Sequence, residues 1–260
     1  PRIEGATISG GGSREQPNQV TGAFGAIGGG NANQAKGPFS VVAGGWDNRS
    51  AGPRSSVGGG RENVAEGVAA VIAGGFTNTA SGSYAAVGGG WGNQAGGYVS
   101  TLSGGWGNAA TGLVSVIGGG QENQAFGSGS TVSGGWKNQA SGMGSAIPGG
   151  KGNRAAGEYS VAMGLEAKAL HNGSFVWKDA GSEAFASTAE NQFLIQAAGN
   201  VGIDVASPSE KLTVAGAVLA DRFIGDGSGL TGLPPSPPLP GSIAREHLTP
   251  DLQAALDAIR

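Results

Sequence analysis

Asp47 and Glu62 stand fifteen residues apart, and each follows an aromatic or cationic residue (Trp46, Arg61). If successive fifteen-residue turns stack, the two carboxylates come near the separation of about 5 Å that retaining glycosidases use. A polysaccharide-acting hydrolase or lyase is therefore the enzymatic alternative. The next residues of that column are Thr77, Gly92 and Gly107, with no acidic patch or obvious cleft, so solvated corner carboxylates are the expectation. His171 and His247 are the only histidines and have no ligand cluster around them, so no metal site is expected. With no cysteine, and no histidine in the repeats, a nucleophile with an imidazole base cannot be assembled there. Gly227-Ser228-Gly229-Leu230-Thr231-Gly232 spells GxGxxG but runs into prolines and opens no βαβ unit, which argues against a dinucleotide. No catalytic residue and no cofactor is assigned.

A second set of residues offers binding rather than catalysis. At the same fifteen-residue step run Asn31, Trp46, Arg61, Phe76, Trp91, Trp106, Gln121, Trp136 and Lys151. Rings beside glycines at a corner do not fit inside a narrow coil, so they belong outside it or between chains. Arg61 between Trp46 and Phe76 suits a cation–π stack. Two readings stay open: the column covers a corner or a neighbouring chain, or it is an aromatic platform for a glycan or receptor. Trp46, Arg61, Phe76, Trp91, Trp106 and Trp136 are the ligand-binding candidates.

These residues share a strict repeat. Asn33, Asn48, Asn63, Asn78, Asn93, Asn108, Asn123, Asn138 and Asn153 keep one interval, with Asn18 one step earlier. Four residues after each comes glycine, two after it nearly always alanine, and nine after it an aliphatic such as Val42, Ile72 or Leu102. A glycine pair precedes each asparagine from Asn33 on. Fixed columns at this period indicate a solenoid. Two short extended segments joined by tight turns would stack in parallel on their equivalents, about 4.8 Å apart. The asparagines are read as structural, at corners, bonding up the stack and tolerating left-handed backbone. One aliphatic and two small residues per turn make a thin core, set against about 15 to 30 kcal/mol of backbone ordering per coil. Several rolls side by side would bury more, and a homotrimer is expected.

Composition removes other classes. The chain has 260 residues, 54 glycines and a net charge of −3, with no basic stripe for nucleic acid. Fixed columns argue against disorder, and a fifteen-residue period is not collagen. No run of about 20 apolar residues spans a bilayer. A calcium-binding roll needs an Asp column on nine residues. An ice-binding solenoid, the third alternative, needs a regular Thr column, whereas Val41, Ser56, Val71, Ala86, Thr101, Val116, Thr131 and Ala146 are mixed. Pro1 suggests a processed form or a piece of something longer.

At Ser160-Val161-Ala162-Met163-Gly164-Leu165-Glu166-Ala167-Lys168-Ala169 the period drops to fourteen. SVAMGxxAxA resembles the head repeat of trimeric autotransporter adhesins, with the earlier coils carrying one extra residue, read as the second glycine of Gly44-Gly45. The resemblance implies an all-β, left-handed parallel β-roll, three chains about one axis, forming an extracellular, non-enzymatic fibre for attachment to a surface glycan or protein receptor. Beyond residue 175, NQFLIQAAGNVGIDVASPSEKLTVAG resembles segments following such heads in phage-like tail fibres and large bacterial surface fibres, so a phage-like particle is the other implied setting.

The divisions expected are a first coil or cap over 1–22, the roll over 23–174, a β-rich neck over 175–233, a Pro-rich linker over 234–248 and the start of a helical stalk over 249–260. In the neck, Phe193 to Ala198 and Val201 to Val205 read as strands around a Gly199-Asn200 turn, followed by another strand or two over Leu212 to Ile224. Thr249, Pro250 and Asp251 read as a helix start, with Leu252, Leu256 and Ile259 on one face.

Overall fold

The computed structural model describes residues 3–181, 183, 185–221 and 249–258. The repeat array is a parallel β-solenoid. Each coil contributes two strands of two residues. The first sheet takes Thr7–Ile8, Ala26–Ile27, Val41–Val42, Ser56–Val57 and their successors; the second takes Gln19–Val20, Gln34–Ala35, Arg49–Ser50, Val64–Ala65 and theirs. The sheets hold fourteen and twelve strands, and their ladders pair each residue with its equivalent one coil on, as in Val42 with Val57 and Ala65 with Ala80.

The second residue of each pair points inward, which places Val42, Val57, Ile72, Val87 and Leu102 against Ala35, Ala65, Ala80 and Ala95. Glycines make so slim a coil possible. A Cβ on Gly52 would run into the carbonyl of Gly67 in the next coil, and the rest of that column is equally tight.

Strands of two residues span only about 7 Å, shorter than two continuous sides would require. The remaining length goes into corners, and one corner carries a third ladder. Single parallel bridges join Asn31, Trp46, Arg61, Phe76, Trp91, Trp106, Gln121, Trp136 and Lys151 in turn.

Three details differ from the sequence reading. The asparagines are buried and carry no positive φ. The left-handed residue is the one before each, as in Asp47 (φ 53), Glu62 (φ 56) and Thr77 (φ 53). The extra residue of the fifteen-residue coil is not the second glycine of the pair, because Ala146 pairs with Val161 while Gly150 pairs with Gly164, which places it among Ile147, Pro148 and Gly149. Phe193–Gln196 and Val201–Ile203 do not form a hairpin. The former pairs in parallel with Phe175–Lys178, and the latter in parallel with Leu212–Val214.

Both sheets also run past residue 174. Phe175–Lys178 and Phe193–Gln196 extend the first, and Phe185–Ala186 extends the second. Lys178 lies in the register of Gly164 and is buried, its ammonium donating to the Gly181 carbonyl at 2.9 Å. A helix covers Pro250–Ala258, with Asp251 in its first turn where the helix dipole favours a carboxylate, and Leu252 is exposed. The expected linker over 234–248, the segment 222–233 with its GxGxxG, His247 and Ile259 lie outside the described residues.

Candidate functional site

The asparagine column is an interior hydrogen-bond ladder. The backbone N–H of Asn63 donates to Asn48 Oδ1 at 3.0 Å, and that of Asn78 donates to Asn63 Oδ1 at 3.0 Å. Each side-chain Nδ2 donates to two glycine carbonyls, one in its own coil and one in the next, as Asn63 does to Gly59 at 3.0 Å and Gly75 at 2.8 Å. The pattern continues to Asn153, whose Oδ1 accepts from Ala167 N. With both amide functions committed inside the coil, the column is unavailable to a ligand.

The third ladder faces outward. Trp91, Trp106 and Trp136 are 51%, 45% and 38% exposed, and Trp46 and Phe76 are half-buried. The Arg61 guanidinium lies 4.1 Å from the Trp46 ring centre and 5.3 Å from that of Phe76. Phe76 and Trp91 are 6.0 Å apart, and Trp91 and Trp106 are stacked at 5.4 Å and 16°. Trp91 and Trp106 thus lie along one another up the solenoid while each stays about half exposed. The stack ends at Trp106, because position 121 is Gln.

Beyond that break the column resumes at Trp136, with Lys151 Nζ at 4.4 Å and Lys137 Nζ at 5.0 Å from its ring centre. A depression lies beside the break, lined by Gly107, Glu122, Gln124, Lys137, Asn138 and Gln139. Gln121 Nε2 donates to Glu122 Oε1 at 2.8 Å, and Lys137 Nζ sits 3.4 Å from Glu122 Oε2. The Gln121 amide first, and the Lys137 charge after it, hold the Glu122 carboxyl below the 4.5 of a free side chain. Gln139 Nε2 donates to Gln124 Oε1 at 3.0 Å. The sequence reading passed over this cluster; its signal was the Gln that interrupts a run of rings.

The two candidate carboxylates differ in their surroundings. Glu62 Oε1 accepts from Arg61 Nε at 2.9 Å, and Asp47 is exposed at a corner. His171 Nδ1 lies 2.9 Å from Ser187 Oγ, but that hydroxyl is buried and also accepts the backbone N–H groups of Leu170 and His171. It is a structural acceptor rather than an accessible nucleophile. Among the described residues, no group of three or more His, Cys, Asp or Glu is placed to hold a metal, and no helix is long and apolar enough to cross a membrane.

Outward residues divide by sheet. Over the second sheet and the aromatic corner stand Lys36, Arg49, Glu66, Arg154, Asp47, Arg61, Glu62, Glu122, Lys137 and Lys151. The outward column of the first sheet from Ala26 to Val161 carries no charge, and Val41, Val71 and Val116 are exposed on it. The opposite corner adds exposed Phe39, Tyr84, Tyr98, Leu113, Val114 and Met143, interrupted by Arg54 and Glu158.

Residues 130–142 match the Ubiquitous surface protein adhesin repeat. The matched run covers part of one coil, from buried Ser130 and Val132 through the Gly134-Gly135 pair and Trp136 to Asn138, Ala140 and Gly142. No curated protein matches the chain.

Proposed function

We propose that the chain is the head of a trimeric, non-enzymatic surface fibre that serves attachment, in the manner of an adhesin or of a receptor-binding fibre on a phage-like particle. The observation that carries this reading is the uncharged outer face of the first sheet. Ten coils at about 4.8 Å each give a strip roughly 50 Å long. An uncharged strip with exposed Val41, Val71 and Val116 along it is the kind of surface that another chain covers. The occupant is a second copy of the same chain, since identical coils present identical side chains at identical rise and so match in register along the whole length.

The matched adhesin repeat supports a place at a cell surface, and the pairing of Glu62 with Arg61 and the buried Ser187 support a non-enzymatic role. Trimerisation would leave the charged sheet and the aromatic corner facing outward, available to a receptor. Light scattering of the purified protein tests the assembly. A mass of three chains is expected; a stable monomer at micromolar concentration overturns it.

A further inference from the structure

We infer that the corner opposite the aromatic ladder, from Val68 to Gly144, is a second contact surface of the assembly and seats against the first-sheet strip of a neighbouring copy. The inference rests on the fibre-head reading above and adds the surface that closes it. Three observations converge on this corner.

The first is conformational. One residue of each coil lies there in the left-handed region, and the column includes Tyr84 (φ 60), Val99 (φ 55) and Val114 (φ 54). That backbone is unfavourable for any L-residue and most of all for a β-branched one. Glycine escapes the penalty, and the same column carries it at Gly129 (φ 66) and Gly144 (φ 61), so the coil turns without a side chain at this position. Val99 and Val114 are 39% and 49% exposed, so their own chain buries them only in part. Strained residues that the turn itself does not need point to a use outside the chain.

The second is the surface around them. Tyr98 and Leu113 are 52% and 51% exposed, and the Tyr84 and Tyr98 rings meet edge to face at 5.7 Å. Both columns of the corner are free of charge from Val68 to Gly144, with Arg54 one coil before and Glu158 one coil after. An apolar middle anchored by rings and bounded by charge has the make-up of a protein contact.

The third is position. Each left-handed residue comes two before the outward residue of the first sheet in its coil, as Tyr84 before Ala86, Val99 before Thr101 and Val114 before Val116. The corner therefore borders the uncharged strip along the same coils. Three chains about one axis are joined by contacts in which a patch of one chain meets a different patch of the next. The strip is one such patch and the corner is the other, its rings and aliphatic side chains filling the space above short strip residues such as Ala86, Thr101 and Ala146. A second copy repeats the same rise of about 4.8 Å, which keeps corner and strip matched from coil to coil.

The test is mass photometry over a dilution series from micromolar to nanomolar, on the native protein and two double variants. Val99→Gly with Val114→Gly introduces the residue type that the column carries at Gly129 and Gly144. Tyr98→Ser with Leu113→Ser introduces the type that its column carries at Ser83 and Ser128. Both are expected to keep the native far-UV circular dichroism and to fall to single chains at a concentration at least tenfold above that of the native protein. A smaller shift in either pair overturns the inference. Loss of the β spectrum does so too, since the side chains would then serve their own coil, as does a trimer that holds while adherence to cells is lost, which would turn the corner toward a receptor. A native trimer indifferent to both variants removes this inference alone, whereas native single chains at micromolar concentration overturn the fibre-head reading itself.

Discussion

Each interior asparagine replaces three or four interactions that a thicker core would supply by packing. Removing the Asn78 amide strands the Gly74 carbonyl and the N–H of Asn93, while the Gly90 carbonyl keeps the Phe76 N–H, and a buried polar group left unpaired costs about 1–3 kcal/mol. Asn78→Ala is therefore expected to lower unfolding free energy by at least about 2 kcal/mol in denaturant titration, whereas removing the side chain of exposed Gln94 in the neighbouring coil should change it by less than about 0.5 kcal/mol. At the outer corner, Glu122 should titrate below 4.5 when its carboxyl carbon is followed by NMR. The sign follows from its partners. A depressed carboxyl stabilises the fold above its unfolded value, and that contribution disappears as pH falls through the depressed one. Gln121→Ala, which removes the largest cause, should move the titration back up.

At the scale of one coil, the two glycines of each pair have different duties. Gly45 has φ 90, and a Cβ there would strike the carbonyl of Gly60, whereas a Cβ on Gly44 has nothing within 4 Å. Gly45→Ala should thus lower the melting temperature by many degrees or prevent folding, and Gly44→Ala should leave it within about 2 °C, as read by circular dichroism. Much of the coil was legible in the sequence. The Asn, Gly and aliphatic columns carried the period, the parallel stacking and the thin interior, because a solenoid repeats the environment of each position. What the columns could not say was direction: a fixed Asn serves an exposed corner and a buried ladder equally well. That the second glycine is not the spare residue needed the pairing of Gly150 with Gly164. The coils beyond residue 174 were hidden for a physical reason, since Phe175 pairs with Phe193 eighteen residues on, and the longer corner breaks the period without breaking the sheet.

Across the whole molecule, the distribution of charge decides which surface meets which partner. Val71→Asp and Val116→Asp together would place two carboxylates of each chain in the uncharged strip, and a desolvated, unpaired charge is strongly unfavourable. The double variant is expected to shift the light-scattering mass from three chains to one, and an unchanged trimer would place the interface elsewhere. The aromatic corner was visible in the sequence as a column, but its use was not. Whether neighbouring rings stack depends on side-chain orientation, and the 16° angle between Trp91 and Trp106 shows that these two do.

The asparagine ladder has one more effect. Every coil offers the same amide and the same glycine carbonyls to the coil on either side, so excising or duplicating a whole fifteen-residue unit rejoins matching ends. Length then becomes an adjustable property: removing or adding one such unit would shorten or lengthen the rod by about 4.8 Å, altering its reach with no change to its interior.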